Sequence, residues 1–583
     1  MMRHLVLFVL LLFCGVLYAQ IIPEDRTVDW SLAGQEAAFD DPEQEVNVMD
    51  YGASGDGSQN DAPAIQSAIE ALGGEPGIVL LPEGTYLIED PVSLHSGVVL
   101  RGIDSLNTQI IIDFGGEPQD AINISGAVGS DYQSVENGYT KGSTSITVNN
   151  GAVFQPGDYA ELIEDNGDWY TEPASWAENS VGQIVKVTEV DGNTLFFEHE
   201  LRIDYEESLN PRVRKISPAT NVAIEQMLIE RLDEPDEGAG SNIDINLAAN
   251  VRIKDIESDK SVGSHINVHR STQVWLTGSY IHHAFTYDGS GTRGYGIALH
   301  MHTGECLIDN NVFKRLRHAM MAKTGSNGNV FGYNYSIQPY RSETIHDFSG
   351  DISMHGHYGF ANLFEGNIVQ NIIIDHYWGE SGPFNTFFRN RAELYGFIIT
   401  GSDNPTDQQN IAGLEITNTD FLYGMYQIEG EDHFQYGNNV TGDIQPFYTD
   451  SLPDSSYYLT QEPSFWNISD PWPSIGIPVE YDTYSIPAKE RYLSNATNTT
   501  PVVLKKALDV YPNPFRNSLA LKWKDEQIPD ARVVITDARG QIYFDEKMQK
   551  SMIIDTHNFP AGVYFLAVKA PSHQQTFKLI KSR

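Results

Sequence analysis

Between residues 50 and 112 the chain reads Asp50-Tyr51-Gly52-Ala53-Ser54-Gly55-Asp56-Gly57, then Asn60-Asp61, then Ala64-Ile65-Gln66-Ser67-Ala68-Ile69 and Leu72-Gly73-Gly74. Four short apolar runs follow: Ile78-Val79-Leu80-Leu81, Tyr86-Leu87-Ile88, Val98-Val99-Leu100 and Ile110-Ile111-Ile112. The opening octet is a turn-rich loop, because Gly and Asp supply the backbone freedom and local hydrogen bonds that turns need. Asn60-Asp61 offers a helix cap, Ile65, Ile69 and Leu72 line one helical face, and Gly73-Gly74 stops the helix. The runs after it are strand-sized, and Pro82-Glu83-Gly84 turns the chain between the first two.

The same rhythm returns from about 221 to 425, in Val222-Ala223-Ile224, Ile243-Asp244-Ile245, Val251-Arg252-Ile253, Ile266-Asn267-Val268, Val274-Trp275-Leu276, Gly296-Ile297-Ala298-Leu299, Cys306-Leu307-Ile308, Asn329-Val330-Phe331, Ile372-Ile373-Ile374 and Leu414-Glu415-Ile416. Strands this short bury no face alone, so each coil must stack on the next, as in a solenoid. A β-sandwich with long loops is the competing reading. Asparagines recur beside the strands, in Asp309-Asn310-Asn311, Asn327-Gly328-Asn329, Glu365-Gly366-Asn367 and Arg389-Asn390, where side-chain amides can bond the neighbouring coil. The expected architecture is all-β, a parallel β-helix over residues 20–493.

Residues of about 117–205 break the rhythm with alternating strands and turns, which predicts a small antiparallel β subdomain inserted into the first coils. It can cover one end or wall a groove. Beyond 430 the chain is loop-like and aromatic, with Tyr457-Tyr458, Phe465-Trp466 and Pro471-Trp472-Pro473, residues suited to buttressing a solenoid. A polar stretch predicts a linker over 494–506, and a β-rich module occupies 507–583.

The 583 residues carry 79 Asp and Glu against 37 Lys and Arg, a formal charge of -42. That surface repels nucleic-acid phosphates and anionic lipid, which excludes DNA as a partner. Arg3, the apolar run Leu5–Leu17 and Ala19 predict a signal peptide over residues 1–19. Once it is removed, Cys306 is the sole cysteine, so packing rather than disulfides must hold the fold. No later run is long enough to span a membrane.

The segment Tyr51-Gly52-Ala53-Ser54-Gly55-Asp56-Gly57 with Asn60-Asp61, Ala64-Ile65-Gln66 and Leu81-Pro82-Glu83-Gly84-Thr85-Tyr86 resembles the N-terminal cap of the pectate-lyase-like superfamily. The resemblance implies a right-handed parallel β-helix with a short N-terminal cap helix, and activity on polysaccharide. The Asn-x-Asp, Asp-Asp and Gly-His-Gly set of polygalacturonase-like hydrolases is missing. The tail, with Val510-Tyr511-Pro512-Asn513-Pro514-Phe515, Val534-Ile535-Thr536-Asp537, Phe559-Pro560-Ala561-Gly562-Val563-Tyr564-Phe565 and Lys578-Leu579-Ile580-Lys581, resembles the C-terminal sorting domain of Bacteroidetes type IX secretion. It implies a C-terminal β-sandwich, the type IX machinery as a partner, and a secreted or surface location.

Candidate chemistry concentrates between His318 and Tyr395. Lys314, Arg315, Arg317, Lys323 and Arg341 form a basic island without Asp or Glu from 311 to 342, suited to an anionic, uronate-containing or sulfated glycan. Elimination needs a cation for the sugar carboxylate, a base and a donor to the leaving oxygen. Arg341 and Arg389 suit the first role, Lys323, His355 or His357 the second, and Tyr358 the third. A hydrolase would instead pair Glu365 with Asp375 or Glu380. Arg317, His318, Arg391 and Trp378 complete the expected substrate-binding set. A glycan-binding or adhesive solenoid without catalysis is the other reading. No motif demands a cofactor. Calcium is the candidate, with Asp233-Glu234-Pro235-Asp236-Glu237 as a hard-oxygen loop, whereas His355-x-His357, and His282-His283 with His300 and His302, lack a specific zinc spacing.

Overall fold

The computed structural model describes residues 20–498, apart from 235–239, 290, 344–348, 401–405 and 447–450, and most of 508–581. The expected leader, residues 1–19, lies outside the described residues, as do 499–506 of the expected linker. The chain divides into two compact units, Met1–Tyr492 and Leu493–Arg583.

The first unit is a parallel β-helix. One face is a twelve-stranded parallel sheet whose strands begin with Glu45–Asn47, Gly77–Leu80 and Val98–Arg101, jump to Ala219–Glu225, and continue coil by coil to Phe434–Tyr436. Two further parallel ladders form the other faces and merge in the longer strands Ile368–Asp375 and Arg391–Ile399. The short apolar runs produce this because identical positions stack: Ile243, Ile266, Ile297, Met320, Ile352 and Ile372 are successive partners and all fully buried. Phe331, Phe364 and Phe387 stack likewise, with ring centroids 4.8 and 5.0 Å apart. The helix Ala62–Ala71 caps the first coils, burying Ile65 and Ile69. Asp61 does not cap it; its carboxylate instead accepts from the Ser54 and Gly55 amides, pinning the Gly-rich loop.

The recurrent asparagines form two internal ladders. Asn311, Asn334, Asn367 and Asn390 are joined amide to carbonyl at 2.8–3.0 Å, as are Asn329, Asn362 and Asn385. Each ladder amide also donates to a main-chain carbonyl of the preceding coil, for example Asn334 to Ile308 at 2.8 Å and Asn367 to Phe331 at 2.8 Å. The buried polar atoms at these corners are thereby satisfied, which the interior requires.

The inserted subdomain is a seven-stranded antiparallel sheet from Ala127–Val128 to Arg212–Ser217. Its bounds differ from the expected 117–205. Ile122 and Ile124 still pair with Ile243 and Ile245 of the coil, whereas Arg212–Ser217 joins the insert. Residues 451–486 wrap the twelve-stranded sheet, burying Tyr457, Tyr458 and Trp466 with Tyr333, Leu363 and Phe388. Residues 494–498, expected as linker, continue the helix Pro487–Asn498. The second unit contains a three-stranded and a four-stranded antiparallel sheet around Phe515, Leu519, Val533, Ile535, Leu566 and Val568, a small β-sandwich.

Candidate functional site

On the ladder running through Ser264–His269, Tyr295–His300, His318–Ala322, Ile352–His355 and Ile368–Asp375, one register position carries a column of polar side chains. His269 lies opposite His300, and His355 opposite Asp375. Lys323 follows Ala322, which pairs with Leu299 on one side and Met354 on the other, so it falls between His300 and His355. Side chains alternate faces along a strand, so this column faces outward while Leu299, Ala322 and Met354 stay in the core. It forms the floor of a groove of about 1060 Å³, whose lining also includes Trp176, Arg270, Tyr295, Arg317, His318 and Tyr377.

Asp375 Oδ2 lies 2.7 Å from His355 Nδ1 and holds the ring, leaving Nε2 without a partner among the described residues. Lys323 is buried, its ammonium makes no hydrogen bond or ion pair among the described residues, and it sits 5.0 Å from the Trp176 ring centroid. Burial pushes its ammonium down to about 8, and the Arg317 charge adds to the shift. Burial likewise drives His300 and His318 well below the usual histidine range, reinforced by Lys323 beside the first and Arg317 beside the second. Both rings are neutral at pH 7.

The cations divide into two kinds. Arg317 is engaged: it donates to the carbonyls of Asp288 and Gly291 and lies over the Tyr295 ring. Arg341 pairs with Glu343 at 3.0 Å. The guanidinium of Arg270, which sequence reading missed, makes no hydrogen bond among the described residues; Glu161, already held by Arg214 and His302, is 3.7 Å away. Asp375 is the one carboxylate lining this groove of the described residues. The insert supplies the wall: Trp176 packs edge-on to Trp378 at 5.2 Å, and Tyr377, 70% exposed, lies parallel to the His355 ring at the rim.

Of the expected residues, the groove gathers Lys323, His355, Asp375, Arg317, His318, Arg341 and Trp378. Others lie elsewhere. Glu365 is fully buried on the twelve-stranded sheet, accepting from the Tyr333 hydroxyl at 3.2 Å and the Tyr457 amide at 2.8 Å. Arg389 donates to the carbonyls of Leu452, Asp454 and Ile475, and Arg391 pairs with Glu415 at 2.7 Å and donates to Tyr484. These three side chains clamp the 451–486 wrap. Nearness along the chain does not say on which face of the coil a residue sits. Tyr358 packs its ring on Trp169 at 4.7 Å, away from the groove lining, and its hydroxyl is raised by burial. Glu380 is half-buried outside the lining residues, and burial together with Asp407 pushes it up to about 7. His357 is enclosed by Trp176, Tyr170 and Trp378, so it buttresses the aromatic wall.

Glu365→Gln is therefore expected to leave turnover in the groove unchanged. Burial raises the Glu365 carboxyl to about 7, against donors from Ser456, Tyr457 and Tyr333. Between its ordinary value of 4.5 and about 7 the folded state binds the extra proton, so stability falls as pH rises through that window. Urea unfolding at several pH values should show that decline in the wild type and a flatter profile in Glu365→Gln.

The second group of histidines weighed for a metal, His282, His283, His300 and His302, separates. His302 anchors the insert through Glu161 at 2.8 Å and the Asn179 carbonyl at 2.7 Å, and His300 sits in the groove. His282 and His283 converge with Asp259 into a group that could hold a divalent ion. In the acidic loop, Asp233 pairs with Arg231 and accepts from Gly116, while residues 235–237 lie outside the described residues.

Residues 45–155 match the family described as rhamnogalacturonase A/epimerase, pectate lyase-like, and residues 509–582 match the secretion system C-terminal sorting domain. The tailspike gp61 of Pseudomonas phage phi297 is similar in fold, with a TM-score of 0.50, 13% identity, and coverage of 85% of this chain and 91% of the tailspike. Among curated proteins, the plasmin and fibronectin-binding protein A of Streptococcus pneumoniae (strain ATCC BAA-255 / R6) is 42% identical over 80 residues, 12% of this chain. The non-secreted LysM effector LysM15 of Penicillium expansum is 36% identical over 69 residues, also 12% of this chain. The match spans only 11% and 5% of those two relatives' lengths. Among the described residues no helix is long and apolar enough to cross a membrane. The chain thus joins a pectate-lyase-like β-helix domain to a C-terminal secretion sorting domain that directs it to the cell surface or beyond.

Proposed function

We propose that this exported β-helix protein binds an anionic, uronate-containing polysaccharide in the groove over Lys323 and cleaves it by β-elimination. The observation that carries the reading is a buried lysine whose ammonium has no hydrogen bond or ion pair among the described residues, brought to about 8, at the centre of a cationic and aromatic groove in a chain of charge -42. A positive concavity in an acidic protein focuses anionic ligands locally.

The roles follow from the chemistry. Arg270 neutralises the sugar carboxylate and so acidifies the α-hydrogen. Neutral Lys323 takes that proton. His355, oriented by Asp375, donates a proton to the departing glycosidic oxygen, and the electron pair left at the α-carbon closes the new C=C bond. Trp176, Tyr377 and Trp378 offer faces for sugar rings. Hydrolysis would need two carboxyl groups about 5 to 9.5 Å apart, and with Glu365 under the wrap the lining offers Asp375 alone among the described residues.

A second reading, adhesion without catalysis, draws on the local 42% identity to the plasmin and fibronectin-binding protein A. Both readings predict binding through the groove, so Arg270→Met tests what they share. Calorimetric titration with acidic oligosaccharides should show affinity reduced about tenfold, a charge-assisted contact being worth roughly 1.5–3 kcal/mol. Unchanged affinity would remove the groove from the account. Neutral oligosaccharides should bind weakly to both proteins.

A further inference from the structure

We propose a transition-metal site, of the zinc class, formed by Asp259, His282 and His283 on a face of the β-helix separate from the groove. Asp259 and His282 are register partners on consecutive coils. His283 comes next in the chain, and in an extended strand its side chain would point to the opposite face. It does not, because the chain turns there: His283 has φ +57°, at the same corner where Lys260, Arg315 and Gln338 are also left-handed. The corner swings the second imidazole onto the side of the first.

The donor atoms then fit one ion. His282 Nδ1 lies 2.8 Å from His283 Nδ1 and 3.1 Å from Asp259 Oδ1, and His283 Nδ1 lies 3.7 Å from that oxygen. Ligands bound tetrahedrally at zinc distances stand about 3.3 Å apart, which these separations bracket. Asp259 Oδ1 is buried and receives no well-directed hydrogen bond. A cation between the three would replace its loose ion pair with the His282 ring by a direct bond.

The surroundings are those of a metal ligand set. Glu257 Oε1 is 3.0 Å from His282 Nε2, a carboxylate orienting the imidazole from behind, and the Tyr280 ring lies against His282 at 4.1 Å. Of the nearby cations, Lys260 pairs with Glu230 at 2.5 Å and reaches the other Asp259 oxygen, Oδ2, at 3.5 Å, and Lys314 lies over the Tyr492 ring. His283 remains 38% exposed, which leaves an entry path and room for water as a fourth ligand. Two nitrogen donors select zinc, nickel or cobalt over calcium, which takes six to eight oxygens. The site ties one coil to the next, a structural role.

The test uses mature protein without a polyhistidine tag, stripped with chelator, then dialysed separately against zinc and against calcium. The wild type should retain one equivalent of zinc per chain, gain thermal stability with it, and retain no calcium at this site. His283→Asn keeps the left-handed corner, since Asn tolerates it, and should match the metal-free wild type in Tm while binding zinc at least tenfold more weakly. Asp259→Asn should behave likewise. Substoichiometric zinc in the wild type would overturn the site, as would zinc binding left intact in both variants, or calcium retained in zinc's place.

Discussion

Lys323→Gln is expected to lower kcat on an acidic polysaccharide by about 10²- to 10⁴-fold, the range general-base catalysis supplies, with KM changed much less. The substitution removes the amine but keeps most of the side-chain volume. It also relieves the burial of a charge, so Tm should not fall. Lys323→Arg should be equally inactive, because a guanidinium stays protonated throughout the working range. The wild-type pH profile carries a second signature. Burial and Arg317 bring the ammonium to about 8, and the base acts only when neutral. On a substrate whose leaving group needs no proton from His355, such as an aryloxide, the rate should therefore climb through pH 6 to 8 and level off above about 9. A rate that is flat over this range, or a Lys323→Gln variant with wild-type kcat, would end the assignment of the base.

The second large effect is on stability. Asn367 sits in the middle of a ladder: it accepts from the Asn334 amide and main-chain N–H at 3.0 and 2.9 Å, and donates to the Phe331 carbonyl and to Asn390 at 2.8 Å. Asn367→Ala removes all four bonds and strands buried donors and acceptors on the two flanking coils. A buried polar atom left unpaired costs about 1–3 kcal/mol, so a total loss of roughly 3–5 kcal/mol is expected even after partial relaxation. In a solenoid each coil leans on its neighbours, so the loss should appear first as early local unfolding around residues 330–390 in hydrogen exchange. A variant indistinguishable from wild type in urea would show that the ladder is dispensable.

How legible this was in the sequence depends on whether neighbours in the chain are neighbours in space. Strands such as Ile266-Asn267-Val268 and Ile372-Ile373-Ile374 declared themselves, because apolar runs between turns carry their own signal. Asn311, Asn329, Asn367 and Asn390 were readable as inter-coil contacts from their repeated positions beside strands. The centre of the site was also within reach: Lys323, His355 and Asp375 fall within one dense stretch and on one ladder position.

What escaped was set by the third dimension. Trp176 belongs to an insertion almost 150 residues before Lys323, so no local pattern ties the two together. Arg270 is a lone cation just after a strand, and only the column from His269 to Asp375 shows that it stands at the groove. Glu365, Arg389 and Arg391 lie in the same dense stretch but on another face. Glu365 accepts from the Tyr457 amide and the Tyr333 hydroxyl, and the two arginines are spent on main-chain carbonyls of the wrap and on Glu415. His282 and His283 looked like an ordinary adjacent pair until the left-handed corner turned them together.

The central claim, elimination of an anionic glycan at Lys323, is tested most directly by incubating the mature protein with a panel of acidic and neutral polysaccharides, following reducing ends together with absorbance near about 235 nm, since elimination leaves an unsaturated uronate and hydrolysis does not. The account predicts that both signals rise together on an acidic member of the panel and that Lys323→Gln abolishes both. Reducing ends without the absorbance would contradict it in favour of hydrolysis, and binding to an acidic glycan with neither signal would contradict it in favour of adhesion.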